Sequence, residues 1–268
     1  MSAPYLAADG LVRVYPATDP DGTGLVWAHG GAFVHGTLDM NESDWVAREL
    51  AARGTTVVSV GYRLTTETEN RYPAASDDML AAWAWTVENA GELGILPART
   101  AIGGTSAGGN LAAGAALRLI ERGSAVPALV VLAYPTLLAE QPEPSPELRA
   151  KLIADPEADR FRPDRVRGMY EFYLGASVER APVAAVPGLA GDELLAQFPP
   201  TVMVNSDADE LRTSGEAFAE RLRVAGREVT VATEPGTTHG HLNRPDEGPG
   251  PRATIERIAA RLRELATA

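Results

Sequence analysis

A short turn between a strand and a helix constrains this sequence more than any other stretch. Residues 101–105 are small and apolar, and residues 111–120 follow as a helix rich in Ala and Leu. Between them, Gly104-Thr105-Ser106-Ala107-Gly108 matches G-x-S-x-G, a pattern with the serine at the apex of a strained turn. A Cβ at either flanking glycine would collide where the two backbones meet. The pattern therefore predicts an exposed Ser106 Oγ at the positive end of a helix.

Two kinds of phosphate-binding loop also join a strand to a helix, and the sequence fits neither. A P-loop requires Gly-Lys-Ser/Thr, but the only lysine, Lys151, lies in a stretch rich in Pro and Glu. The Rossmann spacing G-x-G-x-x-G does not match Gly103-Gly104-x-x-x-Gly108-Gly109. A flexible Gly/Ser loop is the remaining alternative, and the flanking strand and helix favour the nucleophile turn.

Composition excludes several classes of function. The net charge of −12 argues against nucleic acid or an anionic membrane as a partner. The absence of cysteine excludes disulfides, thiolate nucleophiles and cysteine-metal sites. The first ten residues lack the basic and apolar segments of a signal peptide. No window reaches the roughly 20 apolar residues of a membrane span. We therefore expect a cytoplasmic enzyme.

Strands and helices alternate along most of the chain, which predicts an α/β fold with a mostly parallel sheet and helices on both faces. The clearest strand patterns are at residues 24–28, 55–60, 128–133, 201–204 and 229–231. The alternation breaks after residue 138, where prolines and acidic residues surround two short helical patterns. We interpret the chain, residues 1–268, as a single domain in which residues 138–200 form a small helical lid.

A serine nucleophile needs a base to remove its proton. The chain has four histidines in two pairs, His29 with His35 and His239 with His241. We expect His239 to be the base, because it follows the last predicted strand, and open α/β sheets place their sites at the carboxyl ends of strands. His241 is the alternative base, and we assign His29 to structure.

The base needs an acid, and the reaction needs donors for an oxyanion. Asp207 and Asp209 both follow the strand at residues 201–204, and either could instead cap the next helix. His29-Gly30-Gly31-Ala32 follows the strand at residues 24–28, and glycine lets a carbonyl oxygen approach the main chain. We expect the N–H groups of Gly30, Gly31 and Ala107 to form an oxyanion hole.

These motifs together resemble the hormone-sensitive-lipase-like branch of the α/β-hydrolase superfamily. They span about residues 24–245 and appear in the family's order as His29-Gly30-Gly31-Ala32, Gly61-Tyr62-Arg63-Leu64, Gly104 to Asn110, Asp209-Glu210-Leu211-Arg212 and His239-Gly240. The resemblance implies the α/β-hydrolase fold and a Ser106–His239–Asp209 triad. The first Asp of the family's D-x-L-R-x-x-G pattern completes the triad, which selects Asp209 over Asp207. The implied activity is hydrolysis of small esters with short or medium acyl chains, with no cofactor and no metal.

The sequence departs from the family pattern at several points. Ala32 replaces a third glycine, Thr105 replaces Asp or Glu, and His241 replaces Phe. The segment before the first strand is short for the family's lid helices, which predicts a relatively open acyl site. The resemblance allows a homodimer, because many members pair through edge strands or late helices, but no residue here selects the surface.

Three other interpretations use the same residues. The first is an amidase or arylformamidase with the same triad. The second is a catalytically silent ligand-binding protein on this fold. The third is a metal site formed by His239, His241, Asp207 and Asp209.

Overall fold

The structure is a computed structural model that describes residues 3–155, 158 and 160–267. The predicted single domain of residues 1–268 and the predicted lid of residues 138–200 each include residues outside this description. The eight strands of the described residues are β1 (Tyr5–Ala7), β2 (Val12–Tyr15), β3 (Gly24–Ala28), β4 (Thr56–Val60), β5 (Thr100–Thr105), β6 (Leu129–Ala133), β7 (Thr201–Ala208) and β8 (Val229–Thr238). The α-helices are α1 (Asp44–Ala51), α2 (Ala74–Glu88), α3 (Ala107–Glu121), α4 (Pro146–Ala154), α5 (Pro163–Leu174), α6 (Asp192–Leu195), α7 (Arg212–Val224) and α8 (Gly250–Thr267).

The strands form one sheet in the order β1-β2-β4-β3-β5-β6-β7-β8. β1 pairs antiparallel with β2, and β2 pairs antiparallel with β4. From β4 onward in this order, the six strands β4, β3, β5, β6, β7 and β8 pair in parallel with one another. Ala28 lies opposite Gly104, and Thr105 lies opposite Ala133. The chain therefore leaves β3, β5 and β6 at the same edge of the sheet, where open parallel sheets place their sites.

Helices cover both faces of the sheet, as the alternating pattern predicted. One buried cluster includes Met79 of α2, Leu111 of α3 and Phe218 of α7. The other includes Leu50 of α1 and Ile258 of α8. Strands covered on both faces consist of continuous apolar residues, which is why their positions could be predicted from sequence.

The last two strands extend further than their apolar runs indicated. The patterns at residues 201–204 and 229–231 are only the first parts of β7 and β8. Asn205 pairs with Thr233 and Ser206 with Glu234 beyond those runs. The hydrogen-bond ladder between the two strands continues through polar residues, for which hydrophobicity gives no signal. This extension brings the chain to Asp209 directly after β7 and to His239 directly after β8.

The segment between β6 and β7 holds α4, α5 and α6, and α5 is anchored in the core. Tyr170 and Tyr173 of α5 are fully buried, and the ring of Tyr173 stacks on that of Phe33 with 3.9 Å between centroids. Asn110 of α3 donates its side-chain N–H to the Tyr170 hydroxyl at 3.0 Å. These contacts fix α5 over the edge of the sheet at which β3 and β5 end.

Candidate active site

The strand-to-helix turn at Ser106 has the strained geometry that its glycines predicted. Ser106 has φ +50° and ψ −115°, a conformation that L-residues rarely adopt. A Cβ on Gly104 would lie 2.5 Å from the Ala28 carbonyl oxygen, and one on Gly108 would lie 2.2 Å from that same oxygen. The Ser106 N–H donates to the Ala133 carbonyl at 2.9 Å, which ties the apex to the next strand. Ser106 is only 6% exposed, so the predicted open apex is instead the floor of a cleft.

A continuous hydrogen-bonded chain links three residues that are far apart in sequence. The Ser106 Oγ lies 3.0 Å from His239 Nε2, and His239 Nδ1 lies 2.7 Å from Asp209 Oδ2. The other carboxylate oxygen of Asp209 accepts the Leu211 N–H at 3.0 Å, and Asp209 is fully buried. With Nδ1 protonated toward Asp209, Nε2 is the acceptor for the serine proton. This geometry suits removal of that proton during an attack by the serine.

Asp207, the alternative acid, has different partners. One oxygen accepts from Lys151 Nζ at 2.5 Å, and the other accepts the Gly236 N–H at 3.0 Å. Burial acts to raise the pKa of Asp207, but the hydrogen bonds from Lys151 and Gly236 outweigh it and the pKa is lowered. Asp207 therefore fastens β7 to α4 and to the end of β8.

The other two buried histidines have structural partners. His241, the alternative base, lies between the Ser206 Oγ at 2.9 Å and the Thr254 Oγ1 at 2.8 Å. Burial first, and the neighbouring His239 second, lower its pKa to about 3. His29 stacks on the ring of Tyr62, with its Nδ1 2.7 Å from the Gly30 carbonyl oxygen.

In the loop that follows β3, one of the predicted oxyanion donors is already bonded to a side chain. The Gly30 N–H donates to Glu42 Oε2 at 3.0 Å. No hydrogen bond within the described residues uses the N–H of Gly31, Ala32 or Ala107 as its donor. Ala32 has φ +53°, a left-handed conformation in which the missing third glycine costs strain. Gly31, Ala32 and Ser106 line the same cleft.

Sequence reasoning missed Glu42, which also lines this cleft and is 3% exposed. Its side chain accepts from the Thr105 hydroxyl at 2.9 Å and the Tyr134 hydroxyl at 2.9 Å, besides Gly30. The signal that could have found it is Thr105 itself. A position that usually carries an acid in the resembled family lacks one here, and a carboxylate from another segment fills the space.

Sequence reasoning also missed Phe161, which precedes α5. Its ring packs edge-on against the His239 imidazole, with 4.4 Å between centroids. The Tyr134 ring also packs edge-on against this imidazole, with 5.1 Å between centroids. The base therefore contacts two aromatic rings, one of them from the segment predicted to be the lid.

The cleft has a volume of about 720 Å³ and adjoins an apolar hollow of about 530 Å³. Ala32, His35 and Arg165 lie on the border between them. Of the aromatic residues of α5, only Phe172 lines the hollow, together with Met169.

Comparisons with known proteins decide the family. A profile described as the alpha/beta hydrolase fold matches residues 25–243. The chain belongs to this family. The predicted α/β-hydrolase fold, and with it the resemblance to the hormone-sensitive-lipase-like branch, is confirmed.

Relatives of this α/β-hydrolase include named ester hydrolases. Carboxylesterase NlhH of Mycobacterium tuberculosis is 37% identical over 244 residues, 88% of this chain and 73% of the relative. Ethyl acetate hydrolase of Pseudomonas putida is 35% identical over 86% of this chain and 71% of the relative. The crystal structure of carboxyl esterase 2 from the fungus Tuber melanosporum is similar with a TM-score of 0.82 and 29% identity. That match covers 95% of this chain and 82% of the fungal one.

Two features are absent from the described part of the chain. Across residues 3–155, 158 and 160–267, no helix has the length and apolar character needed to cross a bilayer. Within the same residues, no three or more His, Asp or Glu side chains are grouped so that they could hold a metal ion. His241 and Asp207, which the metal interpretation required, bind Thr254 and Lys151 instead.

Proposed function

We propose that this α/β-hydrolase is a serine ester hydrolase that uses Ser106, His239 and Asp209 on small esters with short or medium acyl chains. The predicted carboxylic-ester hydrolase activity is confirmed by the relatives, which are named as carboxylesterases and ester hydrolases. The observation that supports the proposed site is the continuous hydrogen-bonded chain from Ser106 Oγ through His239 to Asp209. No cofactor is needed for this chemistry.

The reaction proceeds through an acyl-enzyme. His239 Nε2 takes the Ser106 proton as Oγ attacks the ester carbonyl carbon, and a tetrahedral intermediate forms. His239 then gives that proton to the alcohol oxygen, the C–O bond breaks and the alcohol leaves. Water, deprotonated by His239, attacks the acyl carbonyl carbon. The bond to Ser106 Oγ then breaks, His239 returns the proton to Oγ, and the acid is released. Asp209 holds the imidazole in the required tautomer and stabilises the imidazolium.

The oxyanion is bound by backbone N–H groups that have no partner among the described residues. We assign this role to Gly31 and Ala107, as predicted, and to Ala32 in the place predicted for Gly30. The Gly30 N–H is already bonded to Glu42. Preorganised donors of this kind are worth about 2.7–4 kcal/mol each in the transition state.

The segment of residues 138–200 acts as a partial lid in this proposal. Phe161 lies against the base, and Met169 and Phe172 line the hollow beside the cleft. A hollow of about 530 Å³ suits an acyl chain of short or medium length. A homodimer and a cytoplasmic location stay predictions.

Substitution of the nucleophile tests this proposal. We expect Ser106→Ala to lower kcat for p-nitrophenyl acetate by roughly 10⁴-fold or more, because the Ser106 hydroxyl forms the acyl-enzyme. Its circular dichroism and thermal midpoint should match those of the wild type. Labelling of the wild type but not the variant by a fluorophosphonate would place the reactive hydroxyl at Ser106. Equal turnover by the two proteins would overturn the assignment.

A panel of substrates tests which type of bond the enzyme prefers to hydrolyse. Matched p-nitrophenyl esters, anilides and formamides present acyl groups on different leaving groups. We expect the ester to be the preferred substrate. A higher kcat/KM for an anilide or a formamide would instead favour the amidase or arylformamidase interpretation.

A further inference from the structure

Glu42 receives donors from three separate segments that build the site. Its Oε2 accepts from the Gly30 N–H at 3.0 Å and from the Thr105 hydroxyl at 2.9 Å. Its Oε1 accepts from the Tyr134 hydroxyl at 2.9 Å. These donors belong to the oxyanion loop, to the residue before the nucleophile and to the ring that packs on His239. One carboxylate therefore contacts all three parts of the proposed machinery.

The backbone of Glu42 is fixed as firmly as its side chain. Its carbonyl oxygen accepts from Trp27 Nε1 at 2.7 Å, inside the buried sheet. Its N–H donates to Asn243 Oδ1 at 3.1 Å, just beyond the loop that carries His239. Because both backbone groups of Glu42 are anchored, its carboxylate reaches the three donors from a fixed point in the fold.

The chemistry of the three donors requires a carboxylate. The Gly30 N–H and the Thr105 hydroxyl share one oxygen, which leaves the other for Tyr134. Burial, and next the charge of Glu42, raise the pKa of Tyr134 well above its ordinary value, so its hydroxyl stays protonated and donates. An amide in place of the carboxylate would set an N–H₂ group against the Tyr134 hydroxyl and leave a buried hydrogen without an acceptor.

We propose that Glu42 is a positioning residue for ester hydrolysis, which holds the oxyanion loop and the nucleophile turn in one fixed relation. The proposal rests on the proposed function of the Ser106 site. With the Gly30 N–H drawn to Glu42, the N–H groups that follow it remain available for the oxyanion. With Thr105 held by the same oxygen, the adjacent Ser106 is set relative to that loop. A displacement of about 1 Å between such groups can cost on the order of 100-fold in rate.

Two substitutions at Glu42 and one matched control test the proposal. We expect Glu42→Ala to lower kcat for p-nitrophenyl acetate by about 10- to 100-fold with KM unchanged, since the groups that Glu42 positions act in the transition state. Glu42→Gln keeps the shape and should lower kcat by about 3- to 10-fold, the effect of one unpaired buried donor. The control is Asp78→Asn, a mostly buried carboxylate bonded to Arg63 outside the cleft, which should lower the thermal midpoint and leave kcat unchanged. Fluorophosphonate titration of active sites corrects each rate for the folded fraction.

A double substitution separates positioning from general stability. If Thr105 acts through Glu42, then Thr105→Val should lower kcat in the wild type and have no further effect on kcat in the Glu42→Ala background. Additive losses in the double variant would overturn the proposal, as would an unchanged kcat for Glu42→Ala per titrated site. A change in KM alone, or an equal loss of kcat in Asp78→Asn, would also overturn it. If the wild type hydrolyses no ester at all, the proposed function fails before this test applies.

Discussion

His241 Nδ1 lies 2.9 Å from Ser206 Oγ, so the protein holds a second buried pair of serine and histidine beside the proposed catalytic one. The Tyr134 ring packs edge-on against both imidazoles, with centroid distances of 5.1 Å to His239 and 4.9 Å to His241. Neither member of the second pair lines the cleft, and the other nitrogen of His241 is bonded to Thr254 of α8. This pair joins β7 to α8, and its histidine is held neutral inside the fold.

The depressed pKa of His241 predicts sensitivity to acid. Its folded-state pKa of about 3 lies below the ordinary 6.5, so from pH 6.5 down to 3 the unfolded chain binds a proton that the folded protein does not. The free energy of unfolding must therefore fall as the pH falls through this window, by about 2 kcal/mol at pH 5 from this residue.

Replacement of His241 should remove that part of the pH dependence. We expect His241→Gln to be less stable than the wild type at neutral pH, because the bonds to Ser206 and Thr254 are weakened. Its free energy of unfolding should fall less between about pH 7 and pH 5, as measured by urea denaturation. Equal losses in the two proteins would contradict a neutral buried His241. As the pH falls, the free energy of unfolding must decline more slowly in the variant than in the wild type.

Asp209 and Asp207 offer a matched pair two residues apart. We expect Asp209→Asn to lower kcat by about 10⁴-fold with little change in fold, because an amide would favour the wrong tautomer of His239. Asp207→Asn should keep kcat within a few-fold of the wild type and lower the thermal midpoint, because the Lys151 contact is weakened. Steady-state kinetics and thermal unfolding of both variants distinguish the roles. Comparable kinetic losses in the two variants would contradict the assignment of Asp209 as the acid.

The sequence predicted the sheet and the turn at Ser106 because both are encoded locally. Continuous apolar runs mark strands covered on both faces, and Gly104 and Gly108 are required where backbones nearly touch. Residue patterns alone could not decide whether Asp207 or Asp209 is the acid, because both follow the same apolar run. Only the position of His239 in the folded protein distinguishes the two. That position depends on how far the polar residues of β7 and β8 continue to pair.

Two features of the site depend on contacts between distant segments, so the residues adjacent to each in the sequence did not predict them. The Gly30 N–H was predicted as an oxyanion donor because the glycine pattern marks a loop without specifying which way each N–H points. The acceptor of that N–H, Glu42, lies two residues before α1 and has no pattern around it that would distinguish it from a surface carboxylate. Its burial follows from the fold around it.

Gly108 of α3 and Gly168 of α5 should respond in opposite ways to replacement by alanine. We expect Gly108→Ala to unfold the protein or destabilise it severely, since the new Cβ would lie 2.2 Å from the Ala28 carbonyl oxygen and 2.4 Å from that of His29. At Gly168 of α5 no described atom beyond the adjacent residues and the local helix backbone lies within 4 Å of the added Cβ, and alanine should stabilise the helix by about 0.5–1 kcal/mol. Thermal unfolding measures both. A tolerated Gly108→Ala would contradict the close approach of the turn to β3.

The apolar hollow beside the cleft predicts how acyl-chain preference can be changed. Met169 lines the hollow and does not line the cleft, so a larger side chain there should fill the hollow while the Ser106 site stays intact. We expect Met169→Trp to leave kcat/KM for p-nitrophenyl acetate nearly unchanged. For longer acyl chains kcat/KM should decrease further with each methylene that can no longer be buried in the hollow, by up to about 0.8 kcal/mol or fourfold per CH₂. A chain-length series of p-nitrophenyl esters from acetate to octanoate gives the profile, and Ile153→Trp, an exposed site on α4 outside the hollow, controls for the added indole. A uniform loss across the series would place the acyl chain elsewhere, because only a group that occupies the hollow can sense its volume.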